Sequence, residues 1–158
     1  MRVKHIVVLS ALFLLICTGC TNQIDAESTF DHEEVAEDMK QLTIHVELPT
    51  SIPFEPYDVR SSAYPNGDAE SYSLSLYAAP EAKEGIAITA VEGNLSPPKQ
   101  TEKVELANGR VGYFVEQGDV ASMFWEKDNV SYHAQHVCED NRKLFSKEGF
   151  IGFVNQFH

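Results

Sequence analysis

Four short turn signals punctuate a long stretch of alternating residues, and they restrict the middle of this chain to antiparallel pairing. Asn66-Gly67 in "YPNGD" and Asn108-Gly109 in "LANGR" each stand between segments of period two. Asn-Gly readily adopts the left-handed backbone that closes a tight hairpin, so each predicts one. "EQGDV" and "EKDNV" mark the next two connections. The alternation predicts strands over 58–64, 71–78, 86–91, 103–106, 110–116, 120–126 and 130–137. Connections this short cannot hold the crossover that parallel neighbours need, so most neighbours must run antiparallel. "EGNLSPPKQT" is the one longer loop, with Pro97-Pro98 at its centre.

The period changes at both ends of this region. "LTIHVEL" alternates Leu42, Ile44, Val46 and Leu48 with polar residues and predicts a further strand, ended by Pro49. "PTSIPFEP" holds three prolines, so it is expected to be an extended connector outside any ladder, pinned to the core by Ile52 and Phe54. Upstream, Asp31 and Glu34 have the spacing of a capping box, and Phe30 and Val35 that of a hydrophobic staple. They predict a short helix over 32–40 that docks on the domain. At the C-terminus Ser146 can cap a helix whose Phe150, Phe153, Val154 and Phe157 recur on one stripe. Gly149 and Gly152 weaken that helix unless they permit a close approach to the sheet. The fold class is therefore α+β, an antiparallel β-meander of about six to eight strands packed by a C-terminal helix and a short N-terminal helix. It forms one domain over 42–158, with no internal repeat.

Large apolar groups fall on both faces of the predicted sheet. Phe114, Met123 and Trp125 oppose Tyr113, Val120 and Phe124. Either helices cover the second face, with Trp125 as a core anchor, or it is left as a groove; Phe114, Met123 and Trp125 are the candidate ligand or partner face.

The chain begins with Arg2 and Lys4, continues through an apolar run over 6–16, and reaches small residues at Thr18-Gly19. That is the pattern of a secretory signal peptide, too short for a spanning helix and without a stop-transfer pattern after it. "ICTGC" resembles the lipobox of bacterial lipoproteins, with Cys17 where an aliphatic residue usually stands. The resemblance implies cleavage between Gly19 and Cys20, a signal peptide over 1–19, and diacylglycerol on the Cys20 thiol. Residues 20–41 would then be an acidic tether. Loss of Arg2 and Lys4 takes the formal charge from −12 to −14. So acidic a body is repelled by nucleic acid, and cationic peptides, divalent ions or basic protein patches suit it better. The expected address is the cell membrane, lipid-anchored on its extracytoplasmic face.

Chemistry is sparse. No G-x-S-x-G, H-E-x-x-H, P-loop or G-x-G-x-x-G motif is present, and neither an enzyme nor a cofactor is expected. Cys138 remains alone once Cys17 is removed and Cys20 lipidated, so no internal disulfide is expected, and it reads as a buried small hydrophobe. In "HAQHVC" a strand turns His133 to one face and His136 with Cys138 to the other. His136 and Cys138 are the only metal-ligand candidates, and His45 or an acidic side chain would have to complete a site.

"VELPTSIPFEP", "SYSLSLYAA" and "VELANGRVGYFVEQGDVASMFWEKDNVSYHA", with the closing helix, resemble a domain of unknown function in Gram-positive envelope lipoproteins. Pro49, Pro53, Phe54, Asn108, Gly109, Trp125, Glu126 and Tyr132 match its motifs. The same type of domain is similar to extracytoplasmic parts of anti-sigma-factor-like sensors, which this chain departs from in having no cytoplasmic segment. The resemblance implies a non-enzymatic interaction module that meets an envelope protein. The alternatives are a carrier or sensor of a lipid or other hydrophobic ligand, held in the concave face of the sheet, and a metal-binding envelope protein.

Overall fold

The computed structural model describes residues 28–81, 83–94, 96–139 and 145–157. The elements are β1 (Ser28–Thr29), a 3-10 turn (His32–Glu34), α1 (Ala36–Met39), β2 (Ser51–Ile52), β3 (Asp58–Tyr64), β4 (Ser71–Tyr77), β5 (Glu84–Glu92), β6 (Glu102–Glu105), β7 (Val111–Gln117), β8 (Val120–Lys127), β9 (Val130–Cys138) and α2 (Lys147–Val154). Seven strands form one antiparallel sheet in the order β3-β4-β5-β9-β8-β7-β6, which is the α+β architecture expected. Two meanders, β3 to β5 and β6 to β9, join at their last strands. The connection from β5 at the centre to β6 at the edge must cross β9, β8 and β7, a distance of about 19 Å at the usual strand spacing. That is why the proline-containing loop is long while its neighbours are tight.

The tight turns follow from backbone chemistry. Asp128 (φ 51°) and Asn129 (φ 62°) close β8 on β9 in two residues, with Lys127 opposite Val130. Asn108 (φ 61°) and Gly109 (φ 71°) turn β6 into β7. Short-chain Asn and Asp tolerate this left-handed region, and Gly enters it freely. Asn66-Gly67 departs from expectation: six residues separate Tyr64 from Ser71, so β3 and β4 are joined by a wider loop rather than a two-residue hairpin.

Register places Tyr72, Leu74, Leu76, Ile86, Ile88, Ala90, Tyr132, Ala134, Met123, Trp125 and Phe114 on one inner face, all buried. Two parts of the chain cover it. In α2, Ser146 caps by accepting from Gly149 N–H at 3.1 Å, and Phe150, Phe153 and Val154, with Phe157 three residues past the helix end, are buried against the sheet. The N-terminal region supplies Phe30, Val35, Val46, Leu48 and Ile52 to the same cluster. Trp125 stacks on Tyr132 at 5.0 Å and meets Phe157 edge-on at 5.0 Å. Among the described residues no helix is long and apolar enough to cross a membrane.

Three expectations are corrected. Residues 42–48 join no ladder, and Thr43 and Ile44 lie in a bend. Side chains take their amides instead: Glu70 Oε2 accepts from Thr43 N–H at 2.7 Å and Ile44 N–H at 2.9 Å, and Tyr132 Oη accepts from Glu47 N–H at 3.0 Å. Alternation cannot say what the backbone pairs with. Conversely, Ser51–Ile52 does enter a ladder, pairing with Ser28–Thr29. The folded body thus starts by Ser28, inside the segment read as tether, with Phe30 and Val35 in the core. The expected short helix exists as the 3-10 turn and α1, and Asp31 accepts from Glu33 N–H at 2.9 Å rather than from Glu34.

Nor do the α2 glycines serve close packing. A Cβ at Gly152 would meet nothing within 4 Å, whereas one at Gly112 in β7 would lie 3.0 Å from Met123 Sδ and 3.1 Å from Val104 Cγ2. Gly152→Ala should therefore stabilise the fold by about 0.5–1 kcal/mol. Gly112→Ala should destabilise it by about 1–3 kcal/mol through overpacking. Denaturant unfolding of the two variants beside the parent checks both signs.

Candidate functional site

Of the residues singled out in the sequence, Gly19 and Cys20 lie outside the described residues. Phe114, Met123 and Trp125 lie on the inner face at 9%, 0% and 3% exposure, packed beneath α2 and the N-terminal crossing. They are core and offer no surface to a partner. Phe114 and Phe150 sit 6.0 Å apart between ring centres, and Phe145, Phe150 and Phe153 form a continuous chain of ring contacts. The concave face that could have held a lipid is filled by these side chains among the described residues.

The other metal-ligand candidates do come together. Cys138 pairs in register with Glu84 of β5, and His136 with Ile86, so Glu84, His136 and Cys138 share the inner face at one end of the sheet. Their ligand atoms lie within 4.8 Å of one another. Glu84 is the acidic partner that the sequence left unnamed, because the pairing of β5 with β9 could not be read from it. His45 is exposed and takes no part.

The state of the imidazole decides what this cluster can do. Phe145 N–H donates to His136 Nδ1 at 3.0 Å, so Nδ1 must present its lone pair. The neutral ring then has its proton on Nε2, which lies 3.4 Å from Glu84 Oε1. A neutral imidazole has one basic nitrogen, and here a backbone amide occupies it. Binding a metal at Nε2 would require stripping that proton, so the three residues do not fit a resident cation. The same geometry leaves the imidazole no lone pair with which to activate the Cys138 thiol. The ring also lies 4.5 Å from that of Phe145, so His136 links β9 to the residue that leads into α2.

Among the described residues no helix covers the opposite, outer face. Its centre is a cross-strand row of Lys103, Tyr113, Phe124, His133, Thr89 and Ser73. Phe124 and His133 stack at 4.1 Å with their planes 4° apart. Beside this row lies a groove of about 310 Å³, lined by Asn94 and Pro97 of the long loop and by Arg110, Tyr113, Phe124 and Glu126 of the sheet region. The loop is tied at its base: Gly93 N–H donates to Asn129 O at 2.9 Å, and Ser131 Oγ–H donates to Gly93 O. Phe124 and Tyr113 had been read from the sequence as the face opposite Trp125. The groove itself could not be read, because its wall is the crossover loop.

Comparison with family models, with curated proteins and with solved structures finds no match to this chain. The resemblance to envelope lipoprotein domains rests on the sequence motifs alone.

Burial holds the His133 and His136 pKa values below the ordinary histidine value, Glu84 opposing the effect only partly at His136. Each ring takes up its proton at a lower pH in the fold than in the unfolded chain, where that happens near pH 6.5. Their contribution is complete above about pH 6.5 and is lost as the pH falls through the window below it, at up to about 1.4 kcal/mol per pH unit for each ring. Denaturant midpoints should thus fall between pH 7.5 and pH 5.5, these pH values bracketing about one unit either side of the free histidine pKa. His133→Phe, which keeps the stack on Phe124, should reduce that slope by at most about one proton. Equal slopes for parent and variant would contradict the assignment.

Proposed function

We propose that this chain is a lipid-anchored, extracytoplasmic binding module. Diacylglycerol on Cys20 holds the folded body at the outer surface of the cell membrane, and the open sheet face meets a partner of the envelope. The observation that carries this reading is the ending "ICTGC" after a basic start and an apolar run. Two acyl chains hold firmly where one attaches marginally, because each buried methylene contributes about 0.8 kcal/mol. Eight residues, Cys20 to Glu27, precede the first described strand. At full extension they reach at most about 28 Å, so the body works close to the headgroups.

The division of the sheet supports the second half of the reading. The chain's own helix and N-terminal crossing close the inner face, whereas the outer face keeps aromatic groups and a walled groove in contact with solvent. An acidic body is repelled by anionic lipid, which favours holding the groove away from the bilayer.

Metabolic labelling of the full chain with palmitate in a Gram-positive host tests the anchor. The parent should be labelled and sediment with membranes. Cys20→Ser should lose the label and appear in the medium. Label retained by the variant, or an unlabelled parent recovered inside the cell, would overturn the proposal.

A further inference from the structure

The outer-face groove has a lining that names a ligand class. We propose that it is a carbohydrate site that takes a pyranose ring of a neutral or N-acetylated glycan strand. This rests on the reading of the outer face as the binding surface and adds what that surface recognises.

A pyranose presents C–H groups on its flat faces and hydroxyls around its edge. Tyr113 and Phe124, cross-strand partners on the outer face, supply aromatic rings on one side of the groove. The stack on His133 covers one face of Phe124 and fixes its orientation, leaving the face turned toward β7 and Tyr113. The negative face of an aromatic ring attracts weakly positive C–H groups, so a sugar face is a suitable occupant. Hydrogen-bonding groups stand around these rings. Arg110 can only donate, the Glu126 carboxylate can only accept, and Asn94 does both. A hydroxyl is donor and acceptor together, so a ring edged with hydroxyls satisfies all three.

Arg110 brings a guanidinium to the lining of the groove. Its Nε–H donates to Ala107 O at 3.3 Å, no carboxylate is within ion-pair distance of it among the described residues, and its Nη1 is buried without a hydrogen-bond partner. The groove volume falls at the small end of the range of ligand sites, about 300–1,000 Å³, in keeping with one sugar ring rather than a long chain. The tied loop base leaves the wall preformed, which lowers the ordering cost of binding.

Competing ligands fit less well. An acyl chain would desolvate a guanidinium and a carboxylate with nothing in exchange. A cationic peptide meets Arg110, and a nucleic acid meets a body of net charge −14 after removal of Arg2 and Lys4.

The test is calorimetric titration of the full lipidated chain, in a detergent without sugar head groups, with chitohexaose and with cellohexaose, alongside co-sedimentation with purified cell-wall sacculi. Saturable binding to at least one is expected, with Kd raised about tenfold or more by Tyr113→Ala and by Arg110→Gln. Thermal unfolding of each variant separates loss of the site from loss of the fold, and Arg110→Lys should restore part of the affinity in a folded protein. No saturable binding to any of the three would overturn the proposal. So would binding that both substitutions leave unchanged in folded protein. A null result with palmitate still on Cys20 removes the carbohydrate site and leaves the anchored module. Binding by an unlabelled chain does the reverse.

Discussion

Burial of one face of the sheet is the constraint on which the rest of this molecule depends. Trp125, Tyr132, Met123 and Phe114 present a wide apolar surface that seven strands cannot hide from water by themselves. Phe150, Phe153 and Val154 of α2, with Phe157 just beyond its end, cover part of it, at about 1.5–3 kcal/mol for each fully buried side chain. The N-terminal crossing covers more, with Phe30, Val46, Leu48 and Ile52. Polar bonds then fix where these covers sit. Gln156 Oε1 accepts from both Ser51 N–H and Ser51 Oγ–H at 2.9 Å, and Asn155 Oδ1 accepts from Ala107 N–H at 2.8 Å. The end of α2 is thereby joined to the crossing on one side and to the β6–β7 turn on the other. Lys127 and Glu47 form an ion pair, Glu47 being almost fully buried, so the crossing is held at a fixed height over the sheet.

Once the inner face is committed to packing, its functional groups become structural. His136 illustrates this: a histidine next to a thiol and a carboxylate has the composition of a reactive site, yet its one basic nitrogen receives the amide of Phe145. Among the described residues, the face turned away from α2 is the one left free of this packing. There the crossover loop, required by strand order, stands as a wall beside Tyr113 and Phe124. Topology thus supplies the groove as a by-product of joining two meanders at their last strands.

Much of this was legible in residues taken a few at a time. The stripe of α2, its Ser146 cap, and the turns at Asn108-Gly109 and Asp128-Asn129 all depend on neighbours within about one helical turn or one hairpin. Residues 42–48 were misread as a strand because alternation is satisfied equally by a segment outside the sheet whose amides meet Glu70 and Tyr132. Phe114, Met123 and Trp125 were correctly placed on one face together, but nothing local told whether that face was covered. Glu84 was not recognised as the neighbour of His136, since the two lie on strands 52 positions apart in the chain. The groove was missed for the same reason.

The sequence by itself determined the antiparallel strands, the terminal helix, the acidity of the body and the lipobox-like end of its leading segment. These follow from short-range rules: backbone φ preferences, side-chain period and charge. Only the tertiary structure decided that β5 pairs with β9, that the inner face is closed, that His136 presents its lone pair to Phe145, and that Arg110 stands near Tyr113. Such contacts join residues far apart in the chain, and they exist only after the whole sheet has chosen its order, because burial energy belongs to the assembled face and to no single segment.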